Sequence, residues 1–186
     1  MRTCSSGGTF LRLADPDWEH PLDAAVSMAR GGRWHPPGSF PVVYLNGDLP
    51  TARANACLLI EESIEGMPFG FEDLDRLGLP VLVPVHLPSG DILDARTATG
   101  LESAGLPATF PRRPAGDPVP QQACQRVGMR AHQAGLARIA YRSAAYAAGS
   151  GEVAWFTDLG GPPQAAGPIV AFDDWFWDQA ADGISH

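Results

Sequence analysis

The sequence predicts an α+β domain in which a mixed β-sheet is flanked by helices. Three observations indicate this fold class. Runs of three to seven β-branched and other apolar residues recur along the chain, as in short strands. Stretches of helical length, with apolar residues at helical spacing, separate several of these runs. The 186 residues, 45% of them hydrophobic and 9% aromatic, suffice for a single domain, residues 1–186, with a substantial core.

In the first half of the chain, apolar runs alternate with Gly and Pro residues that bound the elements. Pro36 and Pro37 have a fixed φ, so the segment that contains them is predicted to be a rigid loop. Pro50 suits the first turn of a helix, and the apolar residues after it share one stripe. The predicted elements are a strand at Thr9–Leu13, a short helix or loop at Pro21–Ala29, the Gly/Pro loop Gly31–Pro41, a strand at Val42–Asn46 and a helix at Leu49–Glu62.

The second half contains the strongest strand pattern, Val81–Leu87, in which Pro84 indicates an edge position or a break. Residues 95–122, rich in Pro, Gly and Arg, predict an irregular connection with one or two helical turns at Thr97–Ala104. The amphipathic, aromatic segment Asp173–Trp177 lies in the tail. The other predicted elements are strands at Ile92–Asp94, Ala137–Tyr141, Val153–Phe156 and Ile169–Phe172, and a helix at Gln122–Ala134 that Gly135 caps.

Charge and residue usage exclude several classes of function. The formal net charge is -8 and no basic stripe occurs, so we expect no nucleic-acid partner. All 13 basic residues are arginine, which excludes a lysine nucleophile, a Schiff base and a Walker-type phosphate lysine. No segment has the ~18 apolar residues of a membrane span, and no signal peptide is recognisable. We therefore expect a cytoplasmic protein with no membrane partner.

The three cysteines do not form a metal-binding pattern. Cys4, Cys57 and Cys124 are widely spaced, form no CxxC pair and have no histidine at zinc-ligand spacing. We expect free thiols in a reducing compartment and no metal site.

The segment Gly31–Gly38, which reads GGRWHPPG, carries the clearest local signal of function. It presents Arg33 and Trp34 on a rigid frame just before a predicted strand. An arginine held in this way can bind a phosphate or carboxylate with two parallel hydrogen bonds. The alternative is an ordinary surface turn that happens to contain an arginine, and the segment alone does not decide between the two.

Several further segments follow in a fixed order that resembles the RES domain family, named for its Arg, Glu and Ser positions. The resemblance extends from about residue 9 to about residue 157 and leaves an aromatic tail at 158–186. Its most specific part is the GGRWHPPG segment followed by Tyr44, eleven residues after Arg33. The segments are Phe10-Leu11-Arg12, Gly32-Arg33-Trp34, Val43-Tyr44-Leu45, Thr51–Ala56, Gln125 and Gly135–Ser143.

The resemblance implies both a fold and a chemistry. It implies a split mixed sheet similar to the ADP-ribosyltransferase fold, with a cleft for NAD. It also implies a reaction, because many RES domains are toxins of toxin–antitoxin pairs that act as NAD glycosidases at the nicotinamide–ribose bond. Arg12 and Arg33 correspond to the two family arginines, Tyr44 to the strand tyrosine and Ser143 to the serine.

Each of these residues has a physical role in an NAD site. Arginines suit the pyrophosphate, and the ring of Tyr44 or Trp34 could stack on nicotinamide. Ser143 could hydrogen-bond a ribose hydroxyl or the amide, although a serine at a strand end also caps turns. The resemblance thus implies that Arg33, Tyr44, Asn55 and Ser143 act in catalysis, and that Arg12, Arg33, Trp34, Tyr44, Gln125 and Ser143 contact the nucleotide. We expect the cleft to contain Arg12, Arg33, Tyr44 and Ser143 together.

One position departs from the family in a way that affects the chemistry. Where the family has its glutamate, this chain has Asn55, which carries no charge and cannot act as a base. Glu61 and Glu62 follow on the same predicted helix, and Glu62 is displaced from Asn55 by ~10 Å along the axis. His35, where family members usually have asparagine, could supply a titratable group or be simply solvated.

Three hypotheses of different classes remain open at this point. The first is an enzyme that cleaves NAD or a related nucleotide by hydrolysis, phosphorolysis or ADP-ribosyl transfer, with chemistry altered by Asn55. The second is a catalytically inactive RES domain that binds a nucleotide or a protein. The third is an interaction domain that uses its tryptophan-rich tail. The partner could be an antitoxin or a pathway protein, and homo-oligomers stay open; an adjacent antitoxin gene would favour a toxin.

Overall fold

A computed structural model of the chain describes residues 3–5, 7–64 and 78–177, and the statements below refer to these residues. Their strands are β1 (Thr3–Ser5), β2 (Gly8–Ala14), β3 (Val42–Asn46), β4 (Val81–Leu87), β5 (Asp91–Ala95), β6 (Arg138–Tyr141), β7 (Glu152–Phe156) and β8 (Gln164–Ala165). The helices are α1 (Ala25–Arg30), α2 (Leu49–Ile64), α3 (Ala98–Ala104), α4 (Gln121–Gln133), α5 (Thr157–Gly160) and α6 (Phe172–Phe176).

The eight described strands form one mixed sheet in the order β1-β5-β6-β7-β3-β2-β4-β8. Strands β5 and β6 are parallel, and the remaining neighbours are antiparallel. Helices α3 and α4 contribute to a core on one face of the sheet, and α2 and α6 pack with residues of β2 and β4. The predicted fold class, an α+β domain with a mixed sheet and flanking helices, is confirmed.

The sheet is split between β2 and β3. These strands pair at a single register position, Leu11 with Asn46, whereas β2 and β4 pair at seven positions. Side chains bridge the split: the Asn46 amide donates to the carbonyl oxygen of Leu11 at 3.1 Å, and Arg12 Nη1 donates to that of Tyr44 at 3.0 Å. Because the backbone ladder stops here, a cleft opens between the two strands.

Strand β3 is buried on both faces, which explains its nearly continuous apolar sequence. Val42 and Tyr44 belong to the core beneath α3 and α4, whereas Val43 and Leu45 belong to the core on the opposite face. This alternation sends the Tyr44 ring toward the side occupied by α4.

Most predicted elements occur close to their expected positions. The predicted strands at 42–46 and 81–87 have the bounds observed for β3 and β4. The strand that contains Pro84, β4, is the second strand from the edge of the sheet rather than the edge strand. The outermost strand, the two-residue β8, pairs only with Val85 and His86. The predicted turns at Thr97–Ala104 form α3, in which the Thr97 side chain accepts a hydrogen bond from Gly100 N at 3.1 Å.

The predicted strand at Ile169–Phe172 is wrong. Val170 makes an isolated bridge to Leu82, and Phe172 begins helix α6. Asp173 and Asp174 occupy the first turn of this helix, where carboxylates interact favourably with the helix dipole. Phe172 and Trp175 are then buried against α2 and β4, so the aromatic residues of the tail serve packing at helical spacing.

Candidate active site

A pocket of about 350 Å³ lies at the split between β2 and β3. We call it the split pocket. Leu13, Leu45, Leu58 and Leu59 form its apolar lining, and Leu58 and Leu59 are exposed at its rim on α2. The polar and aromatic groups that line it are Arg12, Arg33, Tyr44, Asn46, Asn55, Tyr141 and Glu152. Four of the predicted site residues, Arg12, Arg33, Tyr44 and Asn55, are therefore brought together in one place.

Arg12 is a buried cation beside this pocket. The residue is 8% exposed, and its guanidinium carbon lies over the ring of Trp18, 5.7 Å from the ring centroid. Burial lowers the pKa of Arg12 to about 10, so the group remains charged at neutral pH. Nε of Arg12 finds no hydrogen-bond partner within the described part of the chain. A buried charge with an unused donor suits an anionic ligand.

Tyr44 is held in place by hydrogen bonds from the preceding loop. Its hydroxyl accepts from the N–H of Trp34 at 3.1 Å and lies 3.0 Å from Nδ1 of His35. Nε2 of His35 is 2.8 Å from the carbonyl oxygen of Ser27 and must carry the proton there, because a carbonyl only accepts. With a neutral ring, Nδ1 then accepts the Tyr44 proton. Burial lowers the pKa of His35 and raises that of Tyr44, which keeps both groups neutral.

Gly32 makes this arrangement possible. A Cβ at residue 32 would lie 2.4 Å from the Tyr44 hydroxyl oxygen, well inside contact distance. His35, which the sequence suggested as a titratable group near the cleft, is fully buried behind Tyr44 and does not line the split pocket. It therefore positions the tyrosine and is not solvated.

Helix α4 fixes the loop that carries Arg33. Nε2 of Gln125 donates to the carbonyl oxygens of Gly32 and His35 at 3.0 and 3.2 Å. Gly128 lets the helix approach so closely that a Cβ there would lie 1.7 Å from the carbonyl oxygen of Trp34. Gln125, predicted to contact the nucleotide, thus holds the loop and lines a different pocket on α4.

Two other predicted residues lie away from the split pocket. Trp34 has no exposed surface, and its ring packs against Phe110 and Tyr141 with centroids 5.8 and 5.1 Å apart. Ser143 is 3% exposed, and its Oγ accepts from the backbone N–H groups of Ala145 and Tyr146. The expectation that Ser143 shares the cleft with Arg12, Arg33 and Tyr44 is not met, because its oxygen caps a turn. A stacking role for Trp34 likewise has no support in this geometry.

Asn55 belongs to a chain of amides. Its Nδ2 donates to Oδ1 of Asn46 at 2.7 Å, and Asn46 donates in turn to the carbonyl oxygen of Leu11. Asn55 therefore supports the side-chain bridge across the split while it faces the pocket. Of the glutamates considered as replacements, Glu61 is exposed and does not line the pocket, and the side chain of Glu62 lies outside the described residues.

The sequence analysis did not name Asn46, Tyr141 or Glu152 as site residues, and the most consequential of these for the chemistry is Glu152. It is the one carboxylate among the described lining residues, and its Oε2 accepts a 2.7 Å hydrogen bond from the hydroxyl of Tyr141. Its position follows from the pairing of β7 with β3, which sets Glu152 opposite Asn46. A glutamate immediately before the predicted strand Val153–Phe156 was visible in the sequence, but the pairing of these distant segments was not.

Other expectations about composition can be compared with the described residues. Cys57 and Cys124 are free thiols, and Cys124 is buried, which raises its pKa. Within the described ranges, no group of three His, Cys, Asp or Glu side chains is arranged to hold a metal ion. The helices of those ranges include none that is both long and apolar enough to span a membrane.

Comparison with known proteins identifies the family. A chain of the M. tuberculosis MbcT–MbcA toxin–antitoxin complex superposes with a TM-score of 0.68 at 20% sequence identity, over 94% of this chain and 91% of that chain. At this identity the likeness is one of fold. We found no significant match among curated protein sequences. The family model described as RES domain matches residues 9–182. This chain is therefore a member of the RES domain family.

Proposed function

We propose that the protein is an enzyme that cleaves NAD, or a closely related nucleotide, at the bond between nicotinamide and ribose. The observation that carries this proposal is the convergence of Arg12, Arg33 and Tyr44 in the split pocket. RES family membership supports the substrate class. Two cations beside an apolar, tyrosine-lined pocket suit a ligand with a pyrophosphate at one end and an aromatic base at the other.

The proposed reaction breaks the bond between ribose C1′ and the nicotinamide nitrogen. The bonding pair goes to the ring nitrogen, so neutral nicotinamide leaves and a cation-like sugar remains. Water, phosphate or another nucleophile then bonds to C1′, which corresponds to hydrolysis, phosphorolysis or ADP-ribosyl transfer. Arg12 and Arg33 hold the pyrophosphate, while Tyr44 contacts the nicotinamide and the Asn46–Asn55 amides face the ribose. The reaction would take place in the cytoplasm, where NAD is available.

A volume of about 350 Å³ lies at the lower end of the usual range for small-molecule sites, about 300–1,000 Å³. The pocket therefore encloses the reacting half of a dinucleotide, with the other half along its open side. Exposed Leu58 and Leu59 border that opening and offer an apolar contact for a partner protein. By likeness to the M. tuberculosis complex, we include an antitoxin-like protein in the proposal as that partner.

The experiment that tests the proposal measures NAD binding and nicotinamide release by the purified protein, with and without phosphate. We expect Arg33→Ala to weaken NAD binding about 30-fold, the equivalent of ~2 kcal/mol for a lost charge-assisted hydrogen bond. The matched control is Arg113→Ala, because Arg113 is exposed and does not line the split pocket. That variant should bind NAD as the parent does.

The outcomes separate the remaining hypotheses. Absence of NAD binding by the parent protein, or equal affinity of the Arg33→Ala variant, would refute the proposed site. Binding without nicotinamide release would favour a nucleotide-binding module. That alternative is supported by Asn55, an uncharged, hydrogen-bonded amide at the position where the resemblance implies a glutamate.

A further inference from the structure

We propose that Glu152 supplies the negative charge at the reacting centre, from strand β7, in place of the helix position occupied by Asn55. This inference rests on the proposed function. It assigns a catalytic residue to a position that the resemblance did not indicate, and it explains how a RES domain with asparagine at position 55 can still cleave a glycosidic bond.

The sheet pairing brings Glu152 next to the amide chain. Asn46, Glu152 and Tyr141 stand opposite one another on the neighbouring strands β3, β7 and β6. Directly opposed residues of an antiparallel pair have Cβ atoms about 5 Å apart on the same face. Asn55, at the position where the resemblance implies a glutamate, donates to the side chain of Asn46, and Asn46 stands directly opposite Glu152. Both Asn55 and Glu152 line the split pocket.

The carboxylate is held in a defined orientation. The Tyr141 hydroxyl donates to Oε2 of Glu152 at 2.7 Å, and no hydrogen bond to Oε1 occurs in the described part of the chain. Burial, together with the negative charge of Glu152, raises the pKa of Tyr141, so this phenol remains a hydrogen-bond donor. One oxygen is therefore fixed by the protein, and the other is free for the substrate or the nucleophile.

The charge balance of the pocket favours the same role. Arg12 and Arg33 supply two positive charges that attract an anionic substrate but oppose a cation-like sugar. Among the described lining residues, Glu152 carries the negative charge that can offset this repulsion. Its attraction to C1′ grows as positive charge develops there, so it stabilises the transition state more than the bound substrate. When water is the acceptor, its oxygen bonds to C1′, and Glu152 takes the proton and releases it to solvent.

The test replaces Glu152 with glutamine. Glutamine keeps an oxygen that can accept the Tyr141 hydrogen bond, so Glu152→Gln removes the charge with little change in shape. We expect the rate of nicotinamide release to fall ~10²–10³-fold while NAD affinity stays close to that of the parent. The matched control is Glu61→Gln, an exposed carboxylate outside the pocket, which should release nicotinamide at the parent rate.

Two further variants distinguish a chemical role from a structural one. In Glu152→Ala, added formate should restore part of the lost rate, because a small carboxylate can occupy the vacated space; a residue that only supports the fold would show no such rescue. In the double variant Asn55→Glu/Glu152→Gln, the charge returns to helix α2, and we expect a rate above that of Glu152→Gln alone. Thermal unfolding of each variant checks that it is folded.

Failure of this inference can be distinguished from failure of the proposed function. If the parent protein releases nicotinamide and Glu152→Gln does so at the same rate, Glu152 is not catalytic and the proposed function stands. The same conclusion follows if Glu152→Gln loses NAD affinity and rate in equal measure and formate restores nothing to Glu152→Ala. If the parent neither binds nor cleaves NAD, both proposals fall.

Discussion

Substitution of Gly128 by alanine tests how strictly helix α4 positions the loop that carries Arg33. The added Cβ would lie 1.7 Å from the carbonyl oxygen of Trp34 and 2.7 Å from its carbonyl carbon. Carbon and oxygen atoms that are not bonded approach to about 3.3 Å. The helix and the loop must therefore separate by roughly 1.5 Å, and backbone atoms on the loop side cannot simply rotate away.

Two costs and one gain determine the expected change in the free energy of unfolding. Inserting a methyl group into a close-packed contact costs ~1–3 kcal/mol. The separation also stretches the hydrogen bonds from Gln125 to Gly32 and His35, now 3.0 and 3.2 Å, beyond useful length at about 1 kcal/mol each. In the opposite direction, replacing a helical glycine by alanine stabilises the helix by roughly 0.5–1 kcal/mol. We expect a net loss of about 3 kcal/mol in the free energy of unfolding.

Thermal unfolding followed by circular dichroism measures this loss. For a chain of this size the expected decrease in Tm is about 10 °C. The matched control is Gly167→Ala: Gly167 is exposed and its added Cβ would be 3.5 Å from Pro84 Cγ, an ordinary contact. Its stability should change by less than about 0.5 kcal/mol. If Gly128→Ala is as stable as the parent protein, the close approach of α4 does not constrain the loop, and the argument is refuted.

Two further predictions concern residues that do not line the split pocket. Burial lowers the pKa of His35 below 6.5 in the folded protein. As the pH falls, the imidazole of the unfolded chain is therefore protonated at a higher pH than that of the folded protein. The free energy of unfolding should decrease as the pH drops below about 6.5. Urea unfolding at pH 7.5 to 5.5 should show His35→Asn with a shallower dependence, by up to ~1.4 kcal/mol per pH unit; parallel curves would contradict it. Ser143→Ala should lose about 1–2 kcal/mol of stability through its two lost hydrogen bonds, with unchanged KM for NAD. A raised KM would instead indicate that Ser143 contacts the nucleotide.

The sequence predicted the parts of the fold that depend on local pattern. Strands β3 and β4 are dense in β-branched residues, and their bounds were correct. The segment 169–172 was misassigned because an apolar run of four residues suits a strand as well as the start of a helix. Its packing against α2, which decides the outcome, is a tertiary contact that no local pattern contains.

The candidate site shows the same division. Matching segments indicated that Arg12, Arg33, Tyr44 and Asn55 belong together, and they do line one pocket. A matching segment does not specify side-chain direction, however, so Trp34 was assigned to the ligand although its ring is in the core. Glu152 was missed because only the pairing of β7 with β3 brings it to residues more than a hundred positions earlier.

The split in the sheet explains why some pocket residues are better suited than others for testing function. Asn46 and Arg12 replace the missing backbone ladder between β2 and β3 with side-chain hydrogen bonds. Removing either one leaves buried carbonyl groups unpaired, so a loss of activity would combine a binding effect with a distorted cleft. Arg33 and Glu152 lie on the loop and on β7, outside this bridge, and their substitution alters the charge of the pocket while the side-chain bridge stays intact. A comparison of Arg33→Ala with Glu152→Gln therefore separates the charge that binds the substrate from the charge that promotes its cleavage.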